Sequence, residues 1–227
     1  DQLLDIIGDF DGLVVRSGTQ VDKDIIDAGS NLKIIGRAGT GVDNIDVQYA
    51  TQRDILVVNT PGGNTISTAE LAFSHILALA RNIPQATAAL KEGRWDRALY
   101  TGSELNGKTV GIIGAGAIGR EVAKRCRAFG MTIVGYDPVL SDAAMRESNI
   151  TPLTLEDLFK QSDFITIHTP KTKDTTHLIN EKTIASCKEG VRIVNCARGG
   201  IVDEDALLRG LESGHVAGAG LDVLETE

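Results

Sequence analysis

Residues 111–120 read GIIGAGAIGR, an apolar run broken by Gly114, Gly116 and Gly119 that passes straight into a helical pattern. A strand that turns within a few residues into a helix is half of a βαβ unit, and such a unit needs parallel strand neighbours. The glycine spacing has a mechanism in that setting. Gly114 suits the tight turn, Gly116 lets backbone approach a pyrophosphate, and Gly119 lets the helix pack closely on the strand. The helix amino end, at Ala117 and Ile118, then stabilises phosphate charge. The glycines alone fit an ordinary structural turn equally well. Asp137 adds the needed second element. It ends TIVGYD, about 20 residues further on, where a carboxylate accepts hydrogen bonds from ribose hydroxyls and repels a 2′-phosphate. The plainer alternative for Asp137 is a turn residue before Pro138. Together these features predict a dinucleotide site that takes NAD in preference to NADP.

The rest of the chain keeps the same rhythm of strand-like runs and helical patterns. Strands are expected in GLVVRS (12–17), KIIGRAG (33–39) and ILVVNTP (55–61), with helices starting at Asp22 and Asn44. These form a partial α/β layer. A long helix follows from about Ser67 to Arg81, then an irregular stretch around GRWDRALYTGSELNG. From Thr109 five strands (TVGIIGAG, TIVGYDP, FITIHTP, VRIVNCARGG and GAGLDV) alternate with helices over 117–129, TLEDLFKQS, EKTIASCK and DEDALLRGLESG. The expected fold is α/β: a Rossmann-type doubly wound parallel sheet over 62–227, preceded by a partial flavodoxin-like domain over 1–61, with the boundary near Pro61. Open sheets of this kind bind ligands at the carboxyl ends of their strands, here HTP (168–170), NCARGG (195–200) and LDVLETE (221–227). The plain alternative is loop chemistry, with Pro170 as a stop and Gly199 and Gly200 as a turn.

Composition narrows the function classes. The 227 residues are 42% hydrophobic and 24% charged, as in ordinary globular proteins, and no apolar run approaches the roughly 20 residues of a membrane span. A net charge of -8 argues against a nucleic-acid surface, so an anionic ligand must be held by local features. Three cysteines, Cys126, Cys187 and Cys196, are odd in number and lack metal-ligand spacing, which suggests reduced thiols in the cytoplasm and no metal. There is no basic, apolar leader. The chain opens on a helix-like pattern (Leu3, Leu4, Ile7) with no strand before it, so a trimmed fragment is expected.

With these residues in place, the chain resembles the D-2-hydroxyacid dehydrogenase family over essentially its whole length. The GAG fingerprint, the HTP strand end, NCARGGIVDE and a final LDV occur in the family's order. Within the family, VRSGT (15–19), GRAGTGVDN (36–44), NTPGGN (59–64) and ELNGKTVGIIG (104–114) are similar to the branch acting on 3-phosphoglycerate. The resemblance implies that Arg198 is catalytic, its planar fork binding the substrate carboxylate and polarising the C2 oxygen; on its own it reads as a structural arginine. Glu227 matches the carboxylate that pairs with a catalytic histidine, although read alone it is a solvated residue. Cofactor contacts are implied for Thr40, Gly114, Gly116, Ala117, Ile118, Gly119, Asp137, Thr169, Cys196, Ala197, Arg198 and Asp222. Substrate contacts are implied for Arg16, Ser17, Arg37, Gly39 and Asn64, and for Arg97, which would reach a neighbouring subunit's substrate. Trp95 and Arg97 read equally well as an amphipathic loop.

The implied reaction is hydride transfer from C2 of 3-phospho-D-glycerate to NAD, giving 3-phosphohydroxypyruvate, the first step of serine biosynthesis, in a homodimer or homotetramer with neither membrane nor nucleic-acid partner. The family's histidine follows the LDV segment and is not met before Glu227, and none of His75, His168, His177 or His215 fits its role. The fragment is therefore expected to be inactive. Alternative readings are a glyoxylate or hydroxypyruvate reductase, which has less need of both Arg16 and Arg37, and an NAD-sensing scaffold like the family's corepressors.

Overall fold

The computed structural model describes residues 2–226. Contacts divide the chain into two compact units, residues 1–64 and 65–227, so the division falls three residues beyond Pro61.

In the first unit, α1 (Gln2–Ile6) and a 3-10 turn lead into β1 (Gly12–Val15), α2 (Lys23–Ala28), β2 (Ile34–Arg37), α3 (Val47–Gln52) and β3 (Leu56–Asn59). The strands are parallel in the order β1-β2-β3, and Val15, Arg37 and Asn59 end in register. Both crossover helices start on aspartate caps. Asp22 accepts from the Ile25 amide at 3.2 Å and Asp46 from the Tyr49 amide at 2.9 Å. The second cap corrects the expected start at Asn44, whose side chain is engaged elsewhere. Val15, Ile26, Ile35, Ile45 and Ala50 pack on one face of the sheet, while the alternate residues Val14, Ile34, Leu56 and Val58 are exposed on the other.

The second unit begins with α4 (Thr65–Arg81), two residues earlier than its pattern suggests, and α5 (Ile83–Lys91). The sequence pattern does not mark α5, in which Pro84 occupies the first turn, where its missing amide costs nothing. There follow β4 (Thr109–Ile113), α6 (Ala117–Ala128), β5 (Thr132–Tyr136), α7 (Asp142–Glu147), β6 (Thr151–Pro152), α8 (Leu155–Gln161), β7 (Phe164–Ile167), α9 (Glu181–Ser186), β8 (Val191–Asn195), α10 (Glu204–Glu212) and β9 (Val216–Leu221). All six strands are parallel, in the order β6-β5-β4-β7-β8-β9. The expected five strands become six. The addition, β6, is a two-residue edge strand too short to show a period, and its proline is tolerated because an edge strand has one unpaired side.

Side chains alternate between two cores. Val110, Ile112, Ile133 and Val194 face the side covered by α4 and α6, with Ile76, Val122 and Cys126. Ile113, Val134, Ile165 and Ile193 face α8, α9 and α10, with Leu158, Ile184 and Leu207. Burial on both faces is why these strands read as unbroken apolar runs. The chain winds outward from β4 through β5 to β6, then returns to β7 on the other side, which opens a crevice at the carboxyl ends of β4 and β7. Cys126, Cys187 and Cys196 are buried and unbridged, and burial pushes each thiol up to about 12, so all three stay protonated. Among the described residues no helix is long and apolar enough to cross a membrane, and no His, Cys, Asp and Glu cluster could hold a metal.

Candidate active site

The turn after β4 is shaped by its glycines in three different ways. Gly114 has φ +93°, and a Cβ there would lie 2.7 Å from the carbonyl oxygen of His168, so the turn packs directly on the end of β7. A Cβ at Gly119 would strike the Gly114 carbonyl, which fixes how closely α6 approaches the turn. At Gly116 a Cβ would meet nothing within 4 Å, and the residue is exposed. That open side is the space a phosphate needs. α6 also begins without a side-chain cap, whereas Asp22, Asp46, Ser141, Thr154, Asn180 and Asp203 cap α2, α3, α7, α8, α9 and α10. Its first-turn amides, at Ala117 and Ile118, have no partner within the helix and suit an anion.

Asp137 stands at the exit of β5. Its Oδ2 accepts from the Ala115 amide at 2.8 Å, and its Oδ1 accepts from the amides of Val139 at 2.9 Å and Leu140 at 3.0 Å. The turn reading and the ribose reading are therefore compatible, because each carboxylate oxygen offers more than one lone pair.

At the exit of β7, Thr166 Oγ1 lies 2.9 Å from His168 Nε2. His168 Nδ1 and Thr169 Oγ1 are buried with no hydrogen-bond partner. Burial pushes His168 down to about 4, so its ring is neutral near pH 7. At the exit of β8, Asn195 Oδ1 accepts from the Ala197 amide at 3.0 Å and Nδ2 donates to the Arg198 carbonyl at 2.9 Å, folding the loop back on its own strand. Arg198 is half-buried and donates from Nη1 to the Ala197 carbonyl at 2.7 Å. Cys196 lies beneath it; desolvation raises its thiol, and the nearby Asp222 carboxylate adds to the shift. The Asp222 amide donates to the Asn195 carbonyl at 3.0 Å and its side chain is exposed. Glu227 lies outside the described residues.

In the first unit the implied substrate residues also gather at strand ends, Arg16 and Ser17 after β1, Arg37 and Gly39 at the end of β2 and Asn64 beyond β3, with the implied cofactor contact Thr40 beside Gly39. Asn44 organises them. This buried side chain donates to the carbonyls of Arg16 at 2.8 Å and Thr19 at 2.6 Å, and accepts from Arg37 Nε at 3.1 Å. The Arg37 guanidinium fills the place where a Cβ on residue 39 would sit, so Gly39 makes room for it. Thr40 Oγ1 donates to Asn64 Oδ1 at 2.8 Å, and Asn59 Nδ2 to the Thr40 carbonyl at 2.7 Å. Arg97 is exposed beside Trp95 in the segment after α5. The sequence marked Asn44 only as a helix start and His168 and Asn195 only as members of strand-end segments, with no individual site role. For the two asparagines the available signal was a short amide side chain just beyond a strand or at its last residue, the setting in which it bonds to nearby backbone.

The open cradle at Gly116, the uncapped start of α6 and the partnerless atoms of His168 and Thr169 fit a dinucleotide. Comparisons with known proteins agree. The description "D-isomer specific 2-hydroxyacid dehydrogenase, NAD binding domain" matches residues 73–227. The chain is 55% identical over 227 residues to a D-3-phosphoglycerate dehydrogenase of Rattus norvegicus, covering 100% of this chain and 43% of that protein. To the enzyme of the same name from Bacillus subtilis it is 54% identical over 218 residues, covering 96% and 42%. It thus spans less than half the length of these curated relatives. A solved D-lactate dehydrogenase from Aquifex aeolicus, complexed with NAD and lactic acid, superposes with a TM-score of 0.90 at 34% identity, covering 98% of this chain and 67% of that one. A glyoxylate reductase from Paecilomyes thermophila gives a TM-score of 0.89 at 36% identity, covering 100% and 72%.

Proposed function

Because the chain belongs to the D-isomer specific 2-hydroxyacid dehydrogenase family, we propose that the whole protein oxidises 3-phospho-D-glycerate to 3-phosphohydroxypyruvate, with the first unit contributing substrate contacts and the second holding NAD. The observation that carries the choice of substrate is the Asn44 clamp. It ties the Arg16 backbone and the Arg37 guanidinium together at neighbouring strand ends, and the two residues would supply two cations for an acid bearing both a carboxylate and a phosphate.

When bound, NAD supplies the acceptor for the hydride leaving C2. The α6 amides and the open side of Gly116 would hold its pyrophosphate, Asp137 its adenosine ribose and Asp222 its nicotinamide, with Thr40, Thr169, Cys196 and Ala197 as further contacts. Arg198 would hold the substrate carboxylate and stabilise the negative charge that the C2 oxygen carries as its proton leaves. Glu227 is the proposed partner of the base that takes the hydroxyl proton. None of the described histidines is that base. His75 packs against Gly220 in mid-helix, His168 is a weak base with a buried Nδ1, His177 Nε2 faces Glu225, and His215 Nε2 faces the Ile184 carbonyl. A homo-oligomer with Arg97 turned to a neighbouring substrate, working in the cytoplasm, completes the reading.

The deciding experiment is a substrate panel on the intact protein, following NADH with 3-phosphoglycerate, glycerate, lactate and glycolate. A preference for 3-phosphoglycerate of about 10- to 150-fold in kcat/KM is expected from one lost charge-assisted contact. Equal or better turnover of glycerate or glycolate would give the enzyme to the reductase branch, and NAD binding without any turnover would favour a sensing scaffold.

A further inference from the structure

We propose that His177 and Glu225 form a positioning clasp that holds the segment leaving β9 over the 197–200 loop and thereby fixes Arg198 for the chemical step. The inference rests on the dehydrogenase reading and adds two residues to it. His177 Nε2 lies 3.2 Å from both carboxylate oxygens of Glu225, 48 residues away in the chain. The same histidine donates its backbone amide to the Gly200 carbonyl at 2.9 Å, so one residue touches both the loop and the segment that crosses it. Glu225 is held from a second side, its amide donating to Glu204 Oε1 at 2.6 Å.

Between these attachments the crossing segment rests directly on the loop. A Cβ on residue 199 would collide with the Leu224 carbonyl, and a Cβ on residue 200 would lie 3.6 Å from Glu225 Oε1. Gly200 has φ +73° and His177 φ +49°, both in the left-handed region, and a Cβ on residue 200 would strike Lys171 Nζ. At the other end of the loop the Asp222 amide holds the Asn195 carbonyl. The segment from 222 to 225 is therefore fastened at both ends of the loop that carries Arg198.

His177 and Glu225 are each about two-fifths exposed, and an exposed pair of this kind contributes little to global stability. Its effect is expected in geometry, where small displacements weigh heavily on catalysis. The pair touches neither substrate nor cofactor in this assignment, so its role is positioning.

Two measurements test the clasp. On the chain itself, His177→Ala should speed amide hydrogen exchange across residues 197–200 while β7 and β8 stay protected. His177→Gln, which keeps a donor near the position of Nε2, should restore the slow rate. On the intact enzyme, His177→Ala and Glu225→Ala should each lower kcat about 2- to 5-fold, the factor equivalent to one exposed charged hydrogen bond, with KM for NAD unchanged. The double variant should be no worse than either single one, and His177→Gln should recover kcat. Unchanged exchange, unchanged kcat, or additive losses would each overturn the clasp. Turnover of the unaltered enzyme on 3-phosphoglycerate tests the proposed reaction separately. If another 2-hydroxy acid is the substrate, the same variants are read on that acid, and the exchange measurement needs no substrate.

Discussion

The carboxylate of Asp137 accepts a hydrogen bond at 2.8 Å from the backbone amide of Ala115, 22 residues earlier, and so ties the exit of β5 to the glycine turn after β4. Its other oxygen closes the turn at Val139 and Leu140. Asp137→Ala is therefore expected to do two things. It should lower stability by about 1 to 3 kcal/mol by orphaning backbone amides, and it should weaken NAD binding by a similar amount while weakening NADP binding less. Calorimetric titration with both cofactors checks this; equal losses for the two would remove the ribose from the role of Asp137.

The glycines of the turn separate folding from binding. Gly119→Ala drives a methyl into the Gly114 carbonyl and should cost about 1 to 3 kcal/mol of stability. Gly116→Ala meets open space, so its melting temperature should stay near that of the parent while NAD affinity falls, because the methyl occupies the space proposed for pyrophosphate. Thermal melts with and without NAD distinguish the two. A Gly116→Ala protein that binds NAD normally would refute the cradle.

His168 gives the fold a pH dependence. Burial holds its ring at about 4 in the folded chain, against an ordinary value near 6.5 that the unfolded chain regains. Although part of the residue reaches the surface, Nδ1 itself has no solvent contact. The unfolded state takes up the proton first, so this contribution to stability is complete above about pH 6.5 and is lost as pH falls toward 4. It amounts to about 3 kcal/mol at most. His168→Gln should flatten that part of the curve, which chemical denaturation at pH 7, 5.5 and 4.5 would reveal. Parallel curves for the two proteins would contradict it.

Asn44→Ala removes two backbone contacts and the Arg37 contact at once. Leaving those groups partnerless should destabilise the first unit by about 2 to 4 kcal/mol. In the intact enzyme KM for the proposed substrate, 3-phosphoglycerate, should rise by a larger factor than KM for NAD. Equal effects on both constants would argue that Arg16 and Arg37 do not serve the substrate.

Arg198→Lys keeps the charge and discards the planar fork, so kcat on 3-phosphoglycerate should fall by about 100-fold or more. NAD affinity should change little. Steady-state kinetics at saturating substrate provide the check, and unchanged turnover would remove Arg198 from the chemistry.

Much of the second unit was legible because its elements carry strong local signals: a strand buried on both faces, a glycine turn, a helix of clear period. The GIIGAG run, α6 and Asp137 lie where those signals point. What escaped has no local period. β6 is two residues long, α5 begins with a proline in its first turn, and the start of α3 belongs to Asp46 because Asn44 is drawn away by Arg16 and Thr19, more than 20 residues distant. Residue types at the site could be read from motif order. That Asn195 folds the loop of Arg198 back on β8, and that His168 Nδ1 is buried, depends on neighbours brought together only by the finished sheet.

The order β6-β5-β4-β7-β8-β9 also sets a timetable for assembly. β4 meets β5 after a single crossover, but its other neighbour is far along the chain, as the bond from the Thr109 amide to Asp163, 54 residues away, records. Closing the longer loop costs more chain entropy before any contact rewards it. The two halves of the sheet therefore form first and the seam between β4 and β7 closes last. Until it does, two largely apolar strands keep an unpaired edge toward solvent, and refolding yield should fall as protein concentration rises.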